Sequence, residues 1–142
     1  MIYIACDHGG YTTKLKVIGL FEKYNLEYKD LGTNTTDSVD YPEYAEKLAK
    51  AIEKKPDAVG VLICTTGIGM SIAINRYKFL RGALCHSVKD AKMCRAHNNA
   101  NVLVMGANMR FGKRKKIINT FLSTEFEGGR HEKRVEMLGK LG

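Results

Sequence analysis

Residues 58–71 read AVGVLICTTGIGMS, and this stretch decides the fold. The run Ala58–Cys64 is apolar and rich in β-branched residues, which is typical of a buried strand. The next residues, Gly67-Ile68-Gly69, form a turn pattern that opens into helical spacing. Similar apolar runs lie at Ile2–Cys6, Gly82–Cys85 and Val102–Gly106, with a weaker one at Tyr28–Leu31.

The segments between these runs have apolar residues at helical spacing. The stripes are Leu15, Ile18 and Phe21; Tyr41, Ala45, Leu48 and Ile52; Ile117, Ile118, Phe121 and Leu122; and Val135, Leu138 and Leu141. Strands that alternate with helices predict a parallel sheet with helices on both faces. We therefore expect one domain over residues 1–142, a three-layer α/β/α sandwich (Rossmann-like) with a five-stranded parallel sheet and an extra C-terminal helix.

Composition excludes several classes of protein. The chain has 142 residues, 44% of them hydrophobic, and a formal net charge of +8. It contains no apolar run of the roughly 20 residues that span a bilayer, and no signal-peptide pattern at its start. The four cysteines show no CxxC spacing, so we expect free thiols in a cytoplasmic protein with no membrane association.

Polar residues at strand ends suggest where a ligand binds. Asp7-His8-Gly9-Gly10 follows the first strand, and Cys64-Thr65-Thr66 follows the third. Ligands of parallel sheets bind beyond the carboxyl ends of the strands. A third polar segment, His97-Asn98-Asn99-Ala100-Asn101, adjoins the fifth strand, and we expect the His97 imidazole to lie near the Cys64 sulfur on one rim.

Three known anion-binding loops do not fit the stretch after Cys64. A dinucleotide-binding GxGxxG needs glycine where the chain has Ile72, and the Gly-Lys-Ser/Thr of a P-loop is absent. A low-molecular-weight phosphatase needs arginine where the chain has Met70. What remains is a thiol just before a helix N-terminus, where the thiolate form is favoured. Such a thiolate suits either nucleophilic attack or proton abstraction next to a carbonyl.

Positive charge is concentrated in two places. We interpret Lys113–Lys116 as a solvated first helical turn, because an amphipathic stripe follows it. A basic module that binds nucleic acid or a nucleotide without catalysis is the alternative from another class, and binding of nucleic acid is not the expected function. No spacing of histidines with carboxylates or thiolates indicates a metal site. The second cluster is Arg130, His131, Lys133 and Arg134.

Six motifs in order give the chain a resemblance to the ribose-5-phosphate isomerase B family, within a group that also contains galactose-6-phosphate isomerase subunits. They are Asp7–Gly10, Asp30–Gly32, Asp40–Pro42, Cys64–Ser71, His97–Asn101 and Glu127–His131. The resemblance implies an aldose–ketose isomerase without cofactor or metal, which interconverts D-ribose 5-phosphate and D-ribulose 5-phosphate in the pentose phosphate pathway. It also implies a homodimer or tetramer with shared active sites, the C-terminal helix reaching a partner subunit.

The resemblance assigns catalytic roles. Cys64 would be the base that moves a proton between C2 and C1 of the open-chain sugar. Thr66 would orient the reacting hydroxyls, and His97 would open the furanose ring with the help of Asp7. The N–H groups that would stabilise the enediolate are those of Gly67, Ile68 and Gly69.

The resemblance also assigns the substrate-binding residues. Tyr41 and Asn98 would contact the sugar, and His8 would hold the phosphate together with Arg130 and Arg134 of a partner subunit. The remaining binding positions are Thr65, Ser71 and Asn108. Two of these depart from the family pattern. Thr65 stands where the family usually has glycine, and Asn108 stands where it usually has a phosphate-binding arginine. Arg110 follows Asn108 two residues later. A six-carbon substrate such as allose or galactose 6-phosphate is therefore an alternative.

Overall fold

Five parallel strands form the centre of the structure, a computed structural model that describes all 142 residues. The strands are β1 (Ile2–Cys6), β2 (Tyr28–Asp30), β3 (Val59–Cys64), β4 (Gly82–Leu84) and β5 (Val102–Gly106). The helices are α1 (Tyr11–Lys23), α2 (Tyr41–Lys54), α3 (Ile68–Ile74), α4 (Val88–Ala96), α5 (Phe111–Ser123) and α6 (Arg130–Leu138). The predicted five-stranded parallel sheet with a terminal helix is confirmed.

The strands lie in the order β2-β1-β3-β5-β4, and every neighbouring pair is parallel. From β1 the chain first moves outward to β2 and then returns past β1 to build the other side of the sheet from β3. The direction of winding therefore switches between β1 and β3. In open parallel sheets a crevice for ligands forms at such a switch point, beyond the carboxyl ends of the two strands.

Two apolar cores cover the two faces of the sheet. One contains Val17 and Phe21 of α1 with Ile117 of α5. The other contains Leu48 of α2 and Met70 of α3, and it also includes Cys64. Successive residues of a strand point to opposite faces, so β3 supplies side chains to both cores. The predicted three-layer sandwich is therefore confirmed.

Three of the predicted apolar stripes contain exposed residues, and in the stripe of α2 the exposed residue is Tyr41. In α1, Leu15 is exposed and the buried face runs through Lys14, Val17 and Phe21. The apolar side chains of Val17, Leu20 and Phe21 define the buried face, and Lys14 on that face is buried against Asp30. In α6, Leu138 is exposed because no other element of the chain covers that face. None of the six helices has the length and apolar content that a membrane span requires.

Candidate active site

The Cys64 thiol lies at the carboxyl end of β3, at the switch point of the sheet. The side chain is buried, and the backbone N–H of Gly67 donates to its sulfur at 3.1 Å. Gly67 has φ +81°, and a Cβ there would lie 2.5 Å from Leu84 Cδ1 and 3.0 Å from the Met105 carbonyl carbon. Only glycine combines this conformation with this close approach. The turn thus holds an amide against the sulfur, where a donor stabilises a thiolate.

The loop after Cys64 presents its polar groups outward. Thr65 and Thr66 are exposed, and the Ile68 N–H donates to Thr66 Oγ1 at 3.2 Å. This hydrogen bond holds the Thr66 hydroxyl in the turn before α3, beside the amide groups that follow. Ser71 lies half-buried one turn further along, and its N–H donates to the Gly67 carbonyl at 3.0 Å.

Two glycines let neighbouring side chains close on this loop. A Cβ on Gly9 would overlap Thr65 Oγ1, so the threonine that replaces the family's usual glycine fits because Gly9 has no side chain. A Cβ on Gly69 would lie 2.8 Å from the Tyr41 ring. The ring of Tyr41, the first residue of α2, therefore lies directly against the backbone of the loop.

Asp7 and His8 come from the neighbouring strand, β1, at the same switch point. Asp7 is buried, and its Oδ1 accepts from the Gly10 N–H at 3.1 Å. His8 is exposed, and its Nδ1 accepts from the Val39 N–H at 3.1 Å. The backbone therefore fixes the orientation of the imidazole and leaves Nε2 as its free nitrogen.

Lys14 secures the segment that carries Val39 toward His8. Its Nζ is fully buried and contacts Asp30 Oδ1 at 2.8 Å and Asn34 Oδ1 at 2.9 Å, in addition to the Thr33 carbonyl. One ammonium thus ties α1 to the chain after β2. This positioning group was not predicted, because a lysine in a helical pattern is normally solvated.

The loop after β5 lies at the same edge. Asn108 and Arg110 are both exposed there. Arg114 is buried and donates from Nη2 to the carbonyls of Ala107 at 2.8 Å and Met109 at 2.7 Å. The prediction that residues 113–116 form a solvated turn is thus wrong for Arg114, which braces the loop from inside the protein. The basic cluster is correspondingly smaller, and nothing here favours a nucleic-acid interface.

His97 lies at the opposite edge of the sheet, and the prediction that it shares a rim with Cys64 in one chain is wrong. In the pairing of β3 with β5, Gly60 is opposite Val102 and Cys64 is opposite Gly106. His97 precedes Val102, so it lies at the amino end. At about 3.3 Å per residue, the four-residue length from Gly60 to Cys64 alone separates the two ends by roughly 13 Å.

The amino edge carries a second polar cluster around His97. Its ring stacks on that of His131 with centroids 4.2 Å apart and 13° between the planes. Glu127 Oε2 is 3.4 Å from His97 Nε2 and 3.6 Å from His131 Nε2. A cavity of about 320 Å³ beside them is lined by Asn98 and Arg134 among others. Burial, and then the charge of His97, lower the pKa of His131.

The His97–Asn101 motif divides into two parts. Asn98 is exposed beside His97, whereas Asn99 has φ +47° and turns the chain. Asn101 accepts from the Arg81 N–H at 2.7 Å and donates to the Phe79 carbonyl at 3.1 Å. The last two asparagines therefore shape the loop, and only the first two residues of the motif are available to a ligand.

The other thiols are placed differently from Cys64. Burial raises the pKa of Cys6 to about 11. The contact with the Cys94 sulfur, 3.9 Å away, and then burial raise the pKa of Cys85. Neither Cys6 nor Cys85 has a glycine amide directed at its sulfur in the way that Cys64 has. The contact with Cys85 lowers the pKa of the Cys94 thiol, but Cys94 lies within α4 and not at the end of a strand. We therefore predict that Cys64 is the reactive thiol.

The site combines a thiol that accepts a main-chain N–H with exposed hydroxyl groups and a histidine. Such groups are typical of an enzyme that moves protons on a hydroxylated substrate. The chain belongs to the ribose/galactose isomerase family, whose model matches residues 2–138. This confirms the family inferred from the six motifs.

Individual relatives cover nearly the whole chain. A Rickettsia conorii protein provisionally named a sugar phosphate isomerase is 46% identical over 138 residues, which are 96% of each chain. The crystal structure of a ribose 5-phosphate isomerase from Thermotoga maritima matches with a TM-score of 0.95 and 43% identity, covering 99% of this chain and 97% of that one. The structure of ribose-5-phosphate isomerase B from Mycoplasma genitalium, solved with bound ribulose 5-phosphate, has a TM-score of 0.93 and 37% identity, with coverage of 98% and 93%.

Proposed function

We propose that this isomerase interconverts D-ribose 5-phosphate and D-ribulose 5-phosphate, with Cys64 as the base. The observation that carries the proposal is the Gly67 N–H that donates to the Cys64 sulfur at the switch point of the sheet. Neither cofactor nor metal is needed, because an aldose and its ketose differ only in the positions of protons and one carbonyl. We place the reaction in the cytoplasm, since all four cysteines are free thiols.

The chemistry follows from the geometry of the loop. The Cys64 thiolate removes the proton at C2 of the open-chain aldose, and the electron pair moves to form the C1–C2 double bond of a cis-enediolate. The N–H groups of residues 67–69 stabilise the oxyanion that develops. Thr66 orients the two hydroxyl oxygens between which the second proton moves. Return of the proton from the sulfur to C1 then gives the ketose.

Ring opening requires an acid, and the proposed acid lies at the wrong edge of its own subunit. His97 and Cys64 can act on one sugar only if they come from different copies of the chain, since the sheet separates them. We therefore propose a homodimer in which the carboxyl edge of each copy meets the amino edge of the other. Such a twofold arrangement creates two equal sites, and a tetramer would pair two such dimers.

Exposed apolar residues near the two edges support this association. On α3, Ile68 is 55% exposed and Ile72 is 54% exposed; beyond the other edge, Leu138 is 45% and Leu141 67% exposed. Burying large apolar side chains contributes about 1.5–3 kcal/mol each. The stripe of α6, which is uncovered within the chain, would then be covered by the partner.

The same arrangement explains the remaining binding residues. His8 of one subunit would hold the phosphate with Arg130 and Arg134 of the other, and guanidinium groups match phosphate geometry well. Asp7 would assist ring opening from the buried position beside Gly10. Six further residues would contact the sugar or the anion: Tyr41, Thr65, Gly67, Ser71, Asn98 and Asn108.

The base assignment is tested by Cys64→Ala. General acid–base groups contribute about 10²–10⁴-fold, so turnover of ribose 5-phosphate should fall by at least about a hundredfold. Calorimetric binding of a phosphorylated sugar-acid analogue should persist. Cys85→Ala, a matched change of a buried thiol outside the site, should keep its turnover. A Cys64→Ala protein with the turnover of the unaltered enzyme would contradict the proposal.

A six-carbon phosphate sugar remains the second candidate, because Asn108 stands where a phosphate-binding arginine is usual. Arg110, exposed at the start of α5, lies at the same edge of the sheet. Comparing kcat/KM for ribose, allose and galactose phosphates decides the substrate. A preference of tenfold or more for a six-carbon sugar would overturn the choice of ribose while keeping the reaction class.

A further inference from the structure

Glu127 contacts the proposed ring-opening histidine and has no role in the mechanism above. Its Oε2 lies 3.4 Å from His97 Nε2 and 3.6 Å from His131 Nε2. The carboxylate therefore contacts both imidazoles of a stacked pair at the same ring position. Glu127 and His131 are four residues apart, which brings them together at the start of α6.

The backbone holds Glu127 in this place. Its N–H donates to the Ala96 carbonyl at 3.0 Å, at the end of α4 and next to His97. Arg95 donates from Nε to the Thr124 carbonyl at 3.2 Å and from Nη1 to Asn99 Oδ1 at 3.0 Å. One guanidinium thus braces both the segment that carries Glu127 and the loop that carries His97.

Two glycines complete the turn between Glu127 and α6. Gly128 has φ +70° and Gly129 has φ +55°, conformations that other residues rarely adopt. They reverse the chain so that His131 returns over His97, and the His131 N–H donates to the Gly128 carbonyl at 3.1 Å. The contact between the carboxylate and the imidazoles is therefore fixed by backbone on both sides.

The same three side chains are ones that zinc binds, but their geometry suits a different role. The His97 and His131 rings are within 13° of parallel, so the lone pairs of their Nε2 atoms do not converge on a shared ion. Arg130 and Arg134 on α6 add positive charge next to the cluster. A negative carboxylate that aligns two imidazoles accounts for the arrangement without a cation.

We propose that Glu127 is a positioning residue that fixes the orientation of the His97 imidazole for ring opening. The carboxylate holds the Nε2 side of the ring, and the stacked ring of His131 supports its face. Nδ1 is then the nitrogen directed to the sugar that the partner subunit binds. The inference rests on the proposed function, because it presumes that His97 acts on the furanose ring.

A double-mutant cycle tests whether Glu127 acts through His97. Misplacement of a catalytic group costs up to about a hundredfold, so Glu127→Ala should lower kcat for ribose 5-phosphate by about 10- to 100-fold with little change in KM. When Glu127→Ala is added to a His97→Ala protein, kcat should not fall further. Glu127→Gln, which keeps an oxygen acceptor, should recover most of the lost kcat. Glu125→Ala, an exposed neighbour on the same segment, is the matched control and should keep its activity.

The possible outcomes separate this inference from the proposed function. An unchanged kcat in Glu127→Ala, or a loss that adds in full to that of His97→Ala, would overturn the role of Glu127 alone. An unchanged kcat in His97→Ala would overturn the role of His97 and, with it, the inference. Thermal melts of every variant identify a loss of kcat that comes from unfolding. A loss of kcat in Glu127→Ala that adds to that of His97→Ala and comes with a lowered Tm also contradicts the proposal.

Discussion

The two edges of the sheet are built in different ways. At the carboxyl edge, the Cys64 sulfur and the Asp7 carboxylate are buried and held by backbone N–H groups. At the amino edge, His97 is half-buried and is held by side chains of α6 and of the turn before it. Strand ends form the first edge, whereas the second adjoins a helix whose apolar face is uncovered within the chain.

This difference matches the two kinds of chemistry that the proposed reaction needs. Proton transfer at carbon requires a base and an oxyanion pocket in fixed geometry, which a strand end and a glycine turn supply. Ring opening needs an acid that meets the sugar from another side, and a second subunit can bring one. In the proposed dimer, the catalytic centre is therefore complete only after association.

The largest expected effect is on turnover, in a subunit complementation experiment. It tests whether the two edges of the sheet combine in one active site. Cys64→Ala and His97→Ala homodimers should each have lost turnover by about 10²–10⁴-fold. A heterodimer of the two, purified through two different tags, contains one site with both groups intact and one with neither. It should regain about half the activity of the unaltered dimer, by the symmetry of two shared sites.

The control for complementation is a heterodimer of Cys64→Ala with an unaltered subunit, which also has one intact site. An inactive Cys64→Ala/His97→Ala heterodimer would show that the two residues do not meet across the interface. The shared site would then have to be abandoned, although the base assignment would stand.

Lys14→Met should give the largest loss of stability. Removing one partner of a buried ion pair costs about 3–5 kcal/mol, and the value here should be nearer 3 because Asp30 is 26% exposed. Urea unfolding measures the free energy. Lys16→Met, at an exposed position of the same helix, is the control and should change stability little. A loss below about 1 kcal/mol would mean that Lys14 does not hold the carboxyl edge together.

Gly67→Ala should disrupt the turn that holds the Cys64 sulfur. The left-handed conformation costs about 1–2 kcal/mol for alanine, and the contacts with Leu84 and Met105 add to this. Stability should fall by about 2 kcal/mol and turnover should fall with it, because the amide leaves the sulfur. Gly112→Ala in α5, where a Cβ meets nothing within 4 Å, should be neutral or slightly stabilising.

The sequence predicted the carboxyl edge well because its signals are local. Apolar runs followed by glycine and polar residues, as at Cys64 and Asp7, indicate strand ends directly. The position of His97 was predicted wrongly, although the sequence contained the information needed. His97 precedes β5, and a residue before a parallel strand lies at the amino end. The order of motif and strand should have separated it from Cys64.

Other features of the site depend on contacts between distant parts of the chain. Lys14 contacts Asp30 and Asn34, which are 16 and 20 positions away. Arg114 turns inward to carbonyl groups that no side-chain pattern shows. Glu127 lies within a quoted motif, but its contact with His97 appears only when the segment before α6 hydrogen-bonds to the end of α4. Such partners cannot be identified from spacing alone.

The smallest predicted effect concerns the pH dependence of stability that arises at the amino edge. The pKa of His131 is lowered in the folded protein by burial and by the charge of His97, so the unfolded chain binds a proton more readily. The stability contributed at His131 is thus fully present above the unfolded pKa of about 6.5 and is lost as pH falls below it. Between pH 7 and 5, the unaltered protein should lose stability more steeply than His131→Gln.

Urea unfolding at several pH values measures this difference. The series should be repeated at two protein concentrations, because dissociation of a dimer also lowers apparent stability. The carboxyl-edge variant Gly67→Ala should keep the slope of the unaltered protein, since His131 is untouched there. If stability falls with pH at the same slope in the unaltered protein and in His131→Gln, the pKa of His131 is not lowered by folding. The contacts at the amino edge would then be weaker than their geometry indicates.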